Sequence, residues 1–592
     1  MQTQILLAVL AATLALFVWG RIRYDAVALL ALLALVVAGI VPPAQAFLGF
    51  GHPAVVTVAA VLVVSRALAN AGAVDLLAGS LAGVGRHPVL LVGTLCLATA
   101  LVSAFINNVG ALALLMPVAI RMARERELSP SLVLMPIAFA SLLGGMTTLI
   151  GTPPNIIVAT FRAREVGEPF GMFAYAPVGV AIALLGVLFL GLWGWRLLPK
   201  RRRATSDEVR FELEGYLTEL RVSERSALVG KALGEVIRDA GEDVSIAGLV
   251  RGEKRFSSKS RYEKLQADDI LVVETDAEEL KSFVSDNKLE MVGRDQAAGA
   301  LLRSDQLHID EAVVLPDATL LGKTPAQLKL RHRYDVNLLA VSRQGEPIRR
   351  RLRDVHFKAG DVLLLEGERE ALNEALSDLG CLPLAPRDLR IGRPQRLLAA
   401  LGLFALALTA VVLRVVPPEV ALTAAVLGML GIGVLSGREA YRSVDWSVIV
   451  LLGAMIPVGH ALETTGAAQR IADLIGGAAM LAPPLLAVLA ILVVTMTLSD
   501  IINNAAAAVL MSPLAIAVAR QLEASPDPFL MAVAIGASCA FLTPIGHQSN
   551  TLVMGPGGYR FRDYWPLGIP VELIVVAVSA VAIPLAWPLR PA

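Results

Sequence analysis

The sequence predicts a polytopic α-helical membrane protein with two inverted repeats of five spans plus one re-entrant hairpin each, and two small cytoplasmic α/β domains inserted between them. Three observations predict this fold class. Of the 592 residues, 56% are hydrophobic and only 17% are charged, which is too apolar for an ordinary soluble enzyme. The polar pair Asn107-Asn108 lies inside an apolar segment and recurs as Asn503-Asn504. A polar central segment, residues 205–388, contains two similar copies of one pattern.

The apolar parts of the chain are two similar halves. Asn107 and Asn503 lie 396 positions apart. The same spacing relates further identical residues, namely Pro117 to Pro513, Ser129 to Ser525 and Met135 to Met531. The segment TTLIGTPPN at 147–155 then matches LTPIGHQSN at 542–550 after a slip of one residue. Residues 1–203 and 391–592 are therefore predicted to be the first and second membrane repeats.

The first repeat begins with three candidate spans and continues with a polar interruption. Apolar segments at 5–20, 25–42 and 53–72 each approach the roughly 20 residues that a bilayer core requires. The stretch 87–120 carries Asn107-Asn108 at its middle and is either one helix with a polar pair or a re-entrant hairpin. Arginines beyond both ends favour the hairpin, because they place both ends on one side. A chain can turn at membrane depth where it is buried in protein or lines a wet cavity.

A broken helix and a last span complete the first repeat. The span at 131–160 is interrupted by the sequence GTPPN at 151–155, where the prolines remove amide donors and disfavour helix before them. The span at 174–198 ends in the cationic run at 200–203, which predicts that this end is cytoplasmic. Because the first repeat crosses five times, the second repeat is predicted to be inverted.

The second repeat is predicted to contain the same elements in the same order. The predicted elements are spans at 397–416, 419–437 and 446–463, a hairpin at 482–520, a broken helix at 528–557 and a last span at 565–588. Inverted repeats whose broken helices meet near the midplane are typical of secondary transporters.

The polar insert is predicted to form two domains, 204–296 and 297–390. Gly230-Lys231 matches Gly322-Lys323 at a spacing of 92, and ADDILVVE at 267–274 matches AGDVLLLE at 359–366. Each copy predicts the order strand, helix, strand, hairpin, strand and helix.

The polar residues inside the apolar halves suit the binding of an anion together with a cation. A fixed intramembrane cation is costly, whereas asparagine amides and helix amino-terminal amides are neutral donors. Asparagine oxygens and carbonyls freed at a helix break can hold a hard cation. Asp500, three residues before the second pair, is a proton carrier, a cation ligand or a solvated residue at the hairpin base. His547 either binds the anion or a proton, or makes a structural hydrogen bond.

The two hairpin tips, the GTPPN break and the segment GHQSNTLVMGPGGYRFRDYWPLG at 546–568 resemble the divalent anion:sodium symporter family, in its sulfate-permease-like bacterial and algal branch. The insert resembles two TrkA carboxy-terminal (RCK-type) domains, which that branch carries. The resemblance covers nearly the whole chain. It implies a plasma-membrane homodimer with a scaffold part and an elevator-like transport part. It also implies a small dianion and sodium as transported ions, the bilayer as surroundings and no nucleic-acid partner.

The resemblance implies site residues at matching positions. Substrate binding is implied for Asn107, Asn108, Asn503, Asn504, Thr152, His547, Ser549 and Asn550. Sodium binding is implied near Asn107, Gly151, Asn155, Asn503, Gly546 and Asn550, with Asp500 in coupling. The family's serine and threonine at each tip are replaced here by isoleucine and asparagine, as in Ile106-Asn107-Asn108. This departure argues against a dicarboxylate and favours a small tetrahedral oxyanion such as sulfate.

Three other functions compete with sodium-coupled symport of an oxyanion. A cation/proton antiporter would use Asp500 as its carrier. A regulated channel is disfavoured because the sequence has no TVGYG-like filter. An enzyme is disfavoured because no nucleophile triad or carboxylate pair is recognisable in the polar regions. The resemblance also implies a regulatory nucleotide at the insert, where the arginines of 331–333 and 349–351 form either an anionic effector site or a solvated face.

Overall fold

The computed structural model of the chain describes residues 2–590 except for 20–21, 73–86, 127, 200–216, 241–244, 252–253, 258–261, 275–276, 292–307, 317, 345, 349–351, 385–393, 468–469 and 471–482. The cationic run at 200–203, the arginines at 349–351 and the predicted boundaries between the four units lie outside the described residues.

The first apolar half folds into helices that lie at the positions of the predicted apolar segments. Its helices are α1 (Gln2–Trp19), α2 (Tyr24–Val37), α3 (Pro53–Asn70), α4 (Pro88–Ser103), α5 (Asn108–Glu125), α6 (Leu134–Gly145), α7 (Pro153–Val166) and α8 (Ala176–Leu192). The stretch around Asn107 is not one continuous helix, because α4 and α5 are separate helices that pack against each other. The GTPPN break separates α6 from α7, and Pro153 occupies the first position of α7, where its missing amide costs no hydrogen bond.

The insert forms two five-stranded antiparallel sheets. The first contains β1 (Leu217–Val222), β2 (Ser245–Arg251), β3 (Lys254–Ser257), β4 (Ile270–Glu274) and β5 (Leu289–Met291), with α9 (Leu233–Asp239) and α10 (Ala277–Asn287). The second contains β6 (His308–Val314), β7 (Asn337–Arg343), β8 (Glu346–Pro347), β9 (Val362–Gly367) and β10 (Cys381–Pro383), with α11 (Pro325–Leu328), α12 (Leu330–Arg333) and α13 (Arg369–Leu379). The strand orders are β3-β2-β4-β1-β5 and β8-β7-β9-β6-β10, so the same arrangement occurs twice.

One buried ion pair has the same place in both sheets. Arg251 Nε lies 2.7 Å from Asp269 Oδ1, and Arg343 Nε lies 2.7 Å from Asp361 Oδ1. Hydrogen bonding to the buried carboxylate raises the pKa of each arginine above its ordinary value. Each aspartate also accepts a backbone amide of the preceding turn. The pair therefore fixes the turn that leads into β4 in one domain and β9 in the other.

The second apolar half contains helices at positions equivalent to those of the first half, together with an additional short helix, Gly437–Ser443. Its helices are α14 (Pro394–Val412), α15 (Pro418–Gly431), α16 (Gly437–Ser443), α17 (Trp446–Thr464), α18 (Pro484–Ile501), α19 (Asn504–Gln521), α20 (Pro526–Ala537), α21 (Gln548–Gly557) and α22 (Trp565–Ala586). In the described part of the chain, four helical segments are long and apolar enough to cross a membrane alone, and a bent pair would make a fifth. The four are Pro43–Asn70, Gln395–Val412, Pro484–Ile501 and Trp565–Ala586.

The apolar helices pack into two groups, each with members from both halves. We call α1–α3 with α14–α17 the scaffold group, because α2 packs on α17, and α3 packs on α15 and α16. We call α4–α8 with α18–α22 the hairpin group, because α4 packs on α6 and α8, and α18 packs on α20 and α22. The polar residues at the helix breaks lie in the hairpin group.

Candidate functional site

The first hairpin tip gives its two asparagines different positions. Asn107 precedes α5 as its N-cap residue, and its Oδ1 accepts the Val109 amide at 3.1 Å. Because the cap uses only the oxygen, the Asn107 amide nitrogen remains a donor. Asn108 is only 1% exposed, and its Oδ1 lies 2.8 Å from the hydroxyl of Ser103. The structure therefore places Asn107 at the half-buried tip and Asn108 inside the packing of the hairpin.

The second tip has the same construction. Asn503 caps α19 by accepting the Ala505 amide at 2.9 Å. Asn504 is 5% exposed, and the hydroxyl of Ser499 lies 3.0 Å from its Oδ1. Ser103 and Ser499 also lie 2.7 Å from a carbonyl of the following helix, at positions 141 and 537. Each serine thereby links the tip end of the first hairpin helix to the helix that precedes the break.

The helix breaks carry a second pair of equivalent asparagines. Asn155 Nδ2 donates to the carbonyl of Thr148 at 2.7 Å, and Asn550 Nδ2 donates to that of Thr543 at 2.9 Å. The backbone carbonyl of each asparagine accepts a tyrosine hydroxyl at 2.6 Å, from Tyr175 in the first half and Tyr564 in the second. These bonds span the gap between the half-helices, so they hold an irregular backbone in one shape.

The side-chain oxygens of both asparagines remain available. Asn155 Oδ1 and Asn550 Oδ1 are buried and have no hydrogen-bond partner among the described residues, and the same holds for Thr152 Oγ1. An acceptor that is buried without a partner is costly unless a ligand or water satisfies it. Two equivalent unsatisfied oxygens therefore point to an occupant at each break, and an oxygen lone pair suits a hard cation.

Each hairpin tip is joined to the break of its own half. Thr148 Oγ1 donates to the carbonyl of Ala104, and Thr543 Oγ1 donates to the carbonyl of Asp500 at 2.6 Å. Glycines allow the close approach: a Cβ on Gly151 would lie 2.5 Å from the carbonyl oxygen of Gly145, and one on Gly546 would lie 2.5 Å from that of Ser499. Of the predicted sodium residues, Gly151 therefore permits close packing against the end of α6, and Gly546 permits close packing against the hairpin near its tip.

The two half-sites meet in the centre of the hairpin group. Ser141 Oγ lies 3.5 Å from Ser549 Oγ, and the ring centroids of Phe139 and Phe541 are 5.0 Å apart. Helix α6 packs on α21, and α7 packs on α19. In the described residues no hydrogen bond joins Asn107 directly to Asn503. The helices that flank the two breaks are thus in contact with each other.

The electrostatic character of this region comes from helix ends rather than from cations. Helices α5, α7, α19 and α21 all begin at a tip or a break. Their first amides are donors and carry a partial positive charge. His547 caps α21 by accepting the Ser549 amide at 3.0 Å through Nδ1. No lysine or arginine occurs in the sequence at 88–120, 127–161 or 483–519.

An acidic pair distinguishes the second half from the first. Asp500 is 4% exposed, and its Oδ1 accepts the Leu542 amide at 2.9 Å. Its carboxyl group interacts with that of Glu572 on α22. Asp500 Oδ2 and Glu572 Oε1 are buried and find no hydrogen-bond partner in the described part of the chain. The first-half equivalent of Asp500 is Ala104, so the first half has no counterpart.

Some of these residues were not among the sequence predictions. Ser103 and Ser499 were detectable, because the spacing of 396 that aligns the asparagine pairs also aligns these serines. Tyr175 and Tyr564 lie outside that spacing, so only the fold reveals that they act alike. Glu572 was detectable as an acidic residue inside the predicted span 565–588.

Comparison with known proteins identifies relatives over the whole chain. The family model described as "Citrate transporter" (CitMHS) matches residues 14–536. An uncharacterized transporter of Synechocystis sp., sll0640, is 31% identical across 100% of this chain and 98% of the relative. The uncharacterized transporter YfbS of Escherichia coli is 31% identical across 98% of both chains. Sodium/sulfate cotransporter 2 of Chlamydomonas reinhardtii is 26% identical over 64% of this chain and 43% of its own length. The chain therefore belongs to the citrate transporter (CitMHS) family of membrane transporters.

Proposed function

We propose that the protein is a sodium-coupled symporter for sulfate or a related divalent oxyanion. The observation that carries this proposal is the pair of equivalent half-sites, each with a capped hairpin tip next to a break that holds an unsatisfied asparagine oxygen. The name of the Chlamydomonas reinhardtii relative, sodium/sulfate cotransporter 2, supports the choice of both ions. Transport is the function of the family to which the chain belongs.

The anion is held by neutral donors. The free amide nitrogens of Asn107 and Asn503 and the first amides of the helices behind them provide hydrogen bonds to an oxyanion. Thr152 Oγ1 and Ser549 Oγ lie at the starts of α7 and α21 and add hydroxyl donors. Neutral donors bind a dianion without the desolvation cost of a buried cation, and they let it leave again.

Sodium binds at the breaks. Asn155 Oδ1 and Asn550 Oδ1 supply one ligand each, and carbonyls left free by the helix breaks supply others. A cation at each break lies next to a tip, because Thr148 and Thr543 join break to tip. Its charge offsets that of the anion in a medium of low dielectric constant, so each ion favours the binding of the other. This mutual effect couples the two fluxes.

The division into two packing groups fits an elevator mechanism, in which the hairpin group carries the site past the scaffold group. In this proposal the chain is a plasma-membrane homodimer of inverted repeats, and the two α/β domains are cytoplasmic TrkA carboxy-terminal domains. Neither a regulatory nucleotide nor an anionic effector is part of the proposal, because the arginines on which it depended lie at 331–333 and 349–351, largely outside the described side chains.

Uptake of labelled sulfate into proteoliposomes tests the proposed function. We expect uptake to rise at least about tenfold when an inward sodium gradient replaces a potassium gradient, because the anion site is completed by sodium. Succinate in the same assay tests the dicarboxylate alternative, and citrate tests a tricarboxylate. Sodium-dependent uptake of a dicarboxylate with no sulfate uptake would contradict the assignment of the substrate.

A second candidate, cation/proton antiport, is favoured by the Asp500–Glu572 pair. Two interacting carboxyl groups in an apolar setting hold a proton or a cation between them, since two buried negative charges repel each other strongly. If the symporter proposal is correct, we expect sodium to move no protons in sulfate-free proteoliposomes that contain a pH dye. Proton movement that both Asp500→Asn and Glu572→Gln abolish, and that the half-buried control Glu419→Gln retains, would establish antiport instead.

A further inference from the structure

The second α/β domain contacts the hairpin group through two glycines. Gly360, at φ +82°, lies in the turn before β9, and Gly555 lies on α21. A Cβ on Gly555 would lie 1.7 Å from the carbonyl oxygen of Gly360. A Cβ on Gly360 would lie 2.9 Å from the carbonyl oxygen of Thr551. The two backbones therefore touch at a point that has no room for a side chain on either of them.

The first α/β domain and the first apolar half show that neither the turn before β9 nor helix α21 needs its glycine for its own fold. The position equivalent to Gly360 in the first α/β domain is Asp268, which adopts φ +65° in the same turn. The position equivalent to Gly555 in the first half is Thr160, which lies inside α7. Both glycines thus occur where the domain and the helix meet, and both are replaced by larger residues in the copies.

The surrounding contacts extend across both helix groups. Arg124 at the end of α5 pairs with Glu311 of β6 at 3.1 Å, and Arg560 after α21 pairs with Glu346 of β8. Val313, Val362 and Leu384 of the domain belong to the same apolar core as the membrane helices. On the other side, Arg442 of α16 lies 3.7 Å from Asp378 of α13. Because α16 packs on α3, this last pair attaches the domain to the scaffold group.

We infer that the second α/β domain restrains transport by linking α21 of the hairpin group to α16 of the scaffold group, and that one of these contacts must break during transport. We call this restraint the brake. The inference rests on the proposed function, because it supposes that the two groups move relative to each other. The apolar and glycine contacts fix the domain to α21, whose first turn carries Ser549 and Asn550. The Arg442–Asp378 pair, whose arginine is exposed, is the weaker attachment among the described contacts, since such pairs contribute little.

Substitutions that install the residues found at the equivalent positions test the brake. Gly360→Asp installs the residue that the first domain carries at this turn, and Gly555→Thr installs the residue that α7 carries. We expect faster hydrogen exchange at 548–557 and sulfate uptake that is roughly three- to tenfold faster in full-length protein, because a restraint on the moving group is removed. The matched control Asp268→Gly makes the reverse change in the first domain and should alter neither readout.

A charge swap tests the attachment to the scaffold group separately. Asp378→Arg and Arg442→Asp should each speed uptake, and the double variant should return it towards the wild-type rate. Asp286→Arg is the control, because Asp286 is the equivalent of Asp378 in the first domain. If Gly360→Asp disturbs the fold of the domain, the charge swap still tests whether the domain restrains transport.

The outcomes separate the brake from the proposed function. We call the single variants at Gly360, Gly555, Asp378 and Arg442 the released variants, because each removes a contact of the domain. If wild type and all variants take up sulfate at the same rate, or if the released variants are slower, the brake is overturned and the symporter stands. If no protein, including the released variants, takes up sulfate, the symporter proposal fails and the brake fails with it. Faster uptake in the released variants but not in the two controls supports both.

Discussion

Asn107→Ser and Asn503→Ser are expected to reduce sodium-dependent sulfate uptake at least about tenfold while leaving the fold intact. Serine is as good an N-cap as asparagine, so each variant keeps the acceptor for the Val109 or Ala505 amide. What each variant loses is the amide nitrogen that donates to the anion. A hydrogen bond to a charged group contributes about 1.5–3 kcal/mol, which corresponds to roughly tenfold or more in binding.

Uptake at saturating and limiting sulfate, together with thermal unfolding, checks this prediction. Asn107→Ala and Asn503→Ala serve as companions, because they remove both the cap and the donor and should also lower stability by about 1 kcal/mol. The exposed Asn70, at the end of α3, provides a control for the loss of an amide elsewhere. Wild-type uptake in both serine variants would mean that the tip asparagines act only as caps.

Asn155→Ala and Asn550→Ala are expected to raise the sodium concentration for half-maximal uptake at least about tenfold. Each variant removes one of the two asparagine side-chain oxygens at the breaks, which are buried without a partner in the described part of the chain. Because anion binding depends on the cation, the apparent affinity for sulfate should fall in parallel when sodium is limiting. Sodium titration of uptake, and of thermal stability without sulfate, measures both effects.

The same variants also lose hydrogen bonds to carbonyls of the break, so a control must separate sodium binding from stability. Tyr175→Phe and Tyr564→Phe remove a hydrogen bond of about 1 kcal/mol from the same asparagines but leave their side-chain oxygens in place. We expect the phenylalanine variants to be less stable with nearly unchanged sodium dependence. Equal changes in sodium dependence in both sets would contradict a sodium site at the breaks.

Much of the membrane part follows from local sequence. Apolar segments of sufficient length predicted the helices, and the asparagine pair and the GTPPN segment predicted where α4 gives way to α5 and α6 to α7. These features are visible in sequence because caps and prolines act over a few residues. The strands β5 and β10 were not predicted, because three residues carry too little pattern; they form only by pairing with β1 and β6.

Some features of the candidate site likewise follow from the sequence, and others only from the tertiary structure. The sequence by itself determined that Asn107 and Asn503 recur in equivalent settings, since a repeat is a property of the order of residues. Only the tertiary structure decided that Asn107 lies at the tip whereas Asn108 is buried against Ser103. Likewise, Asp500 and Glu572 are far apart in the chain and interact only because α18 packs on α22. Contacts between distant segments depend on how helices pack, and helix packing depends on the shapes of many side chains together rather than on any local motif.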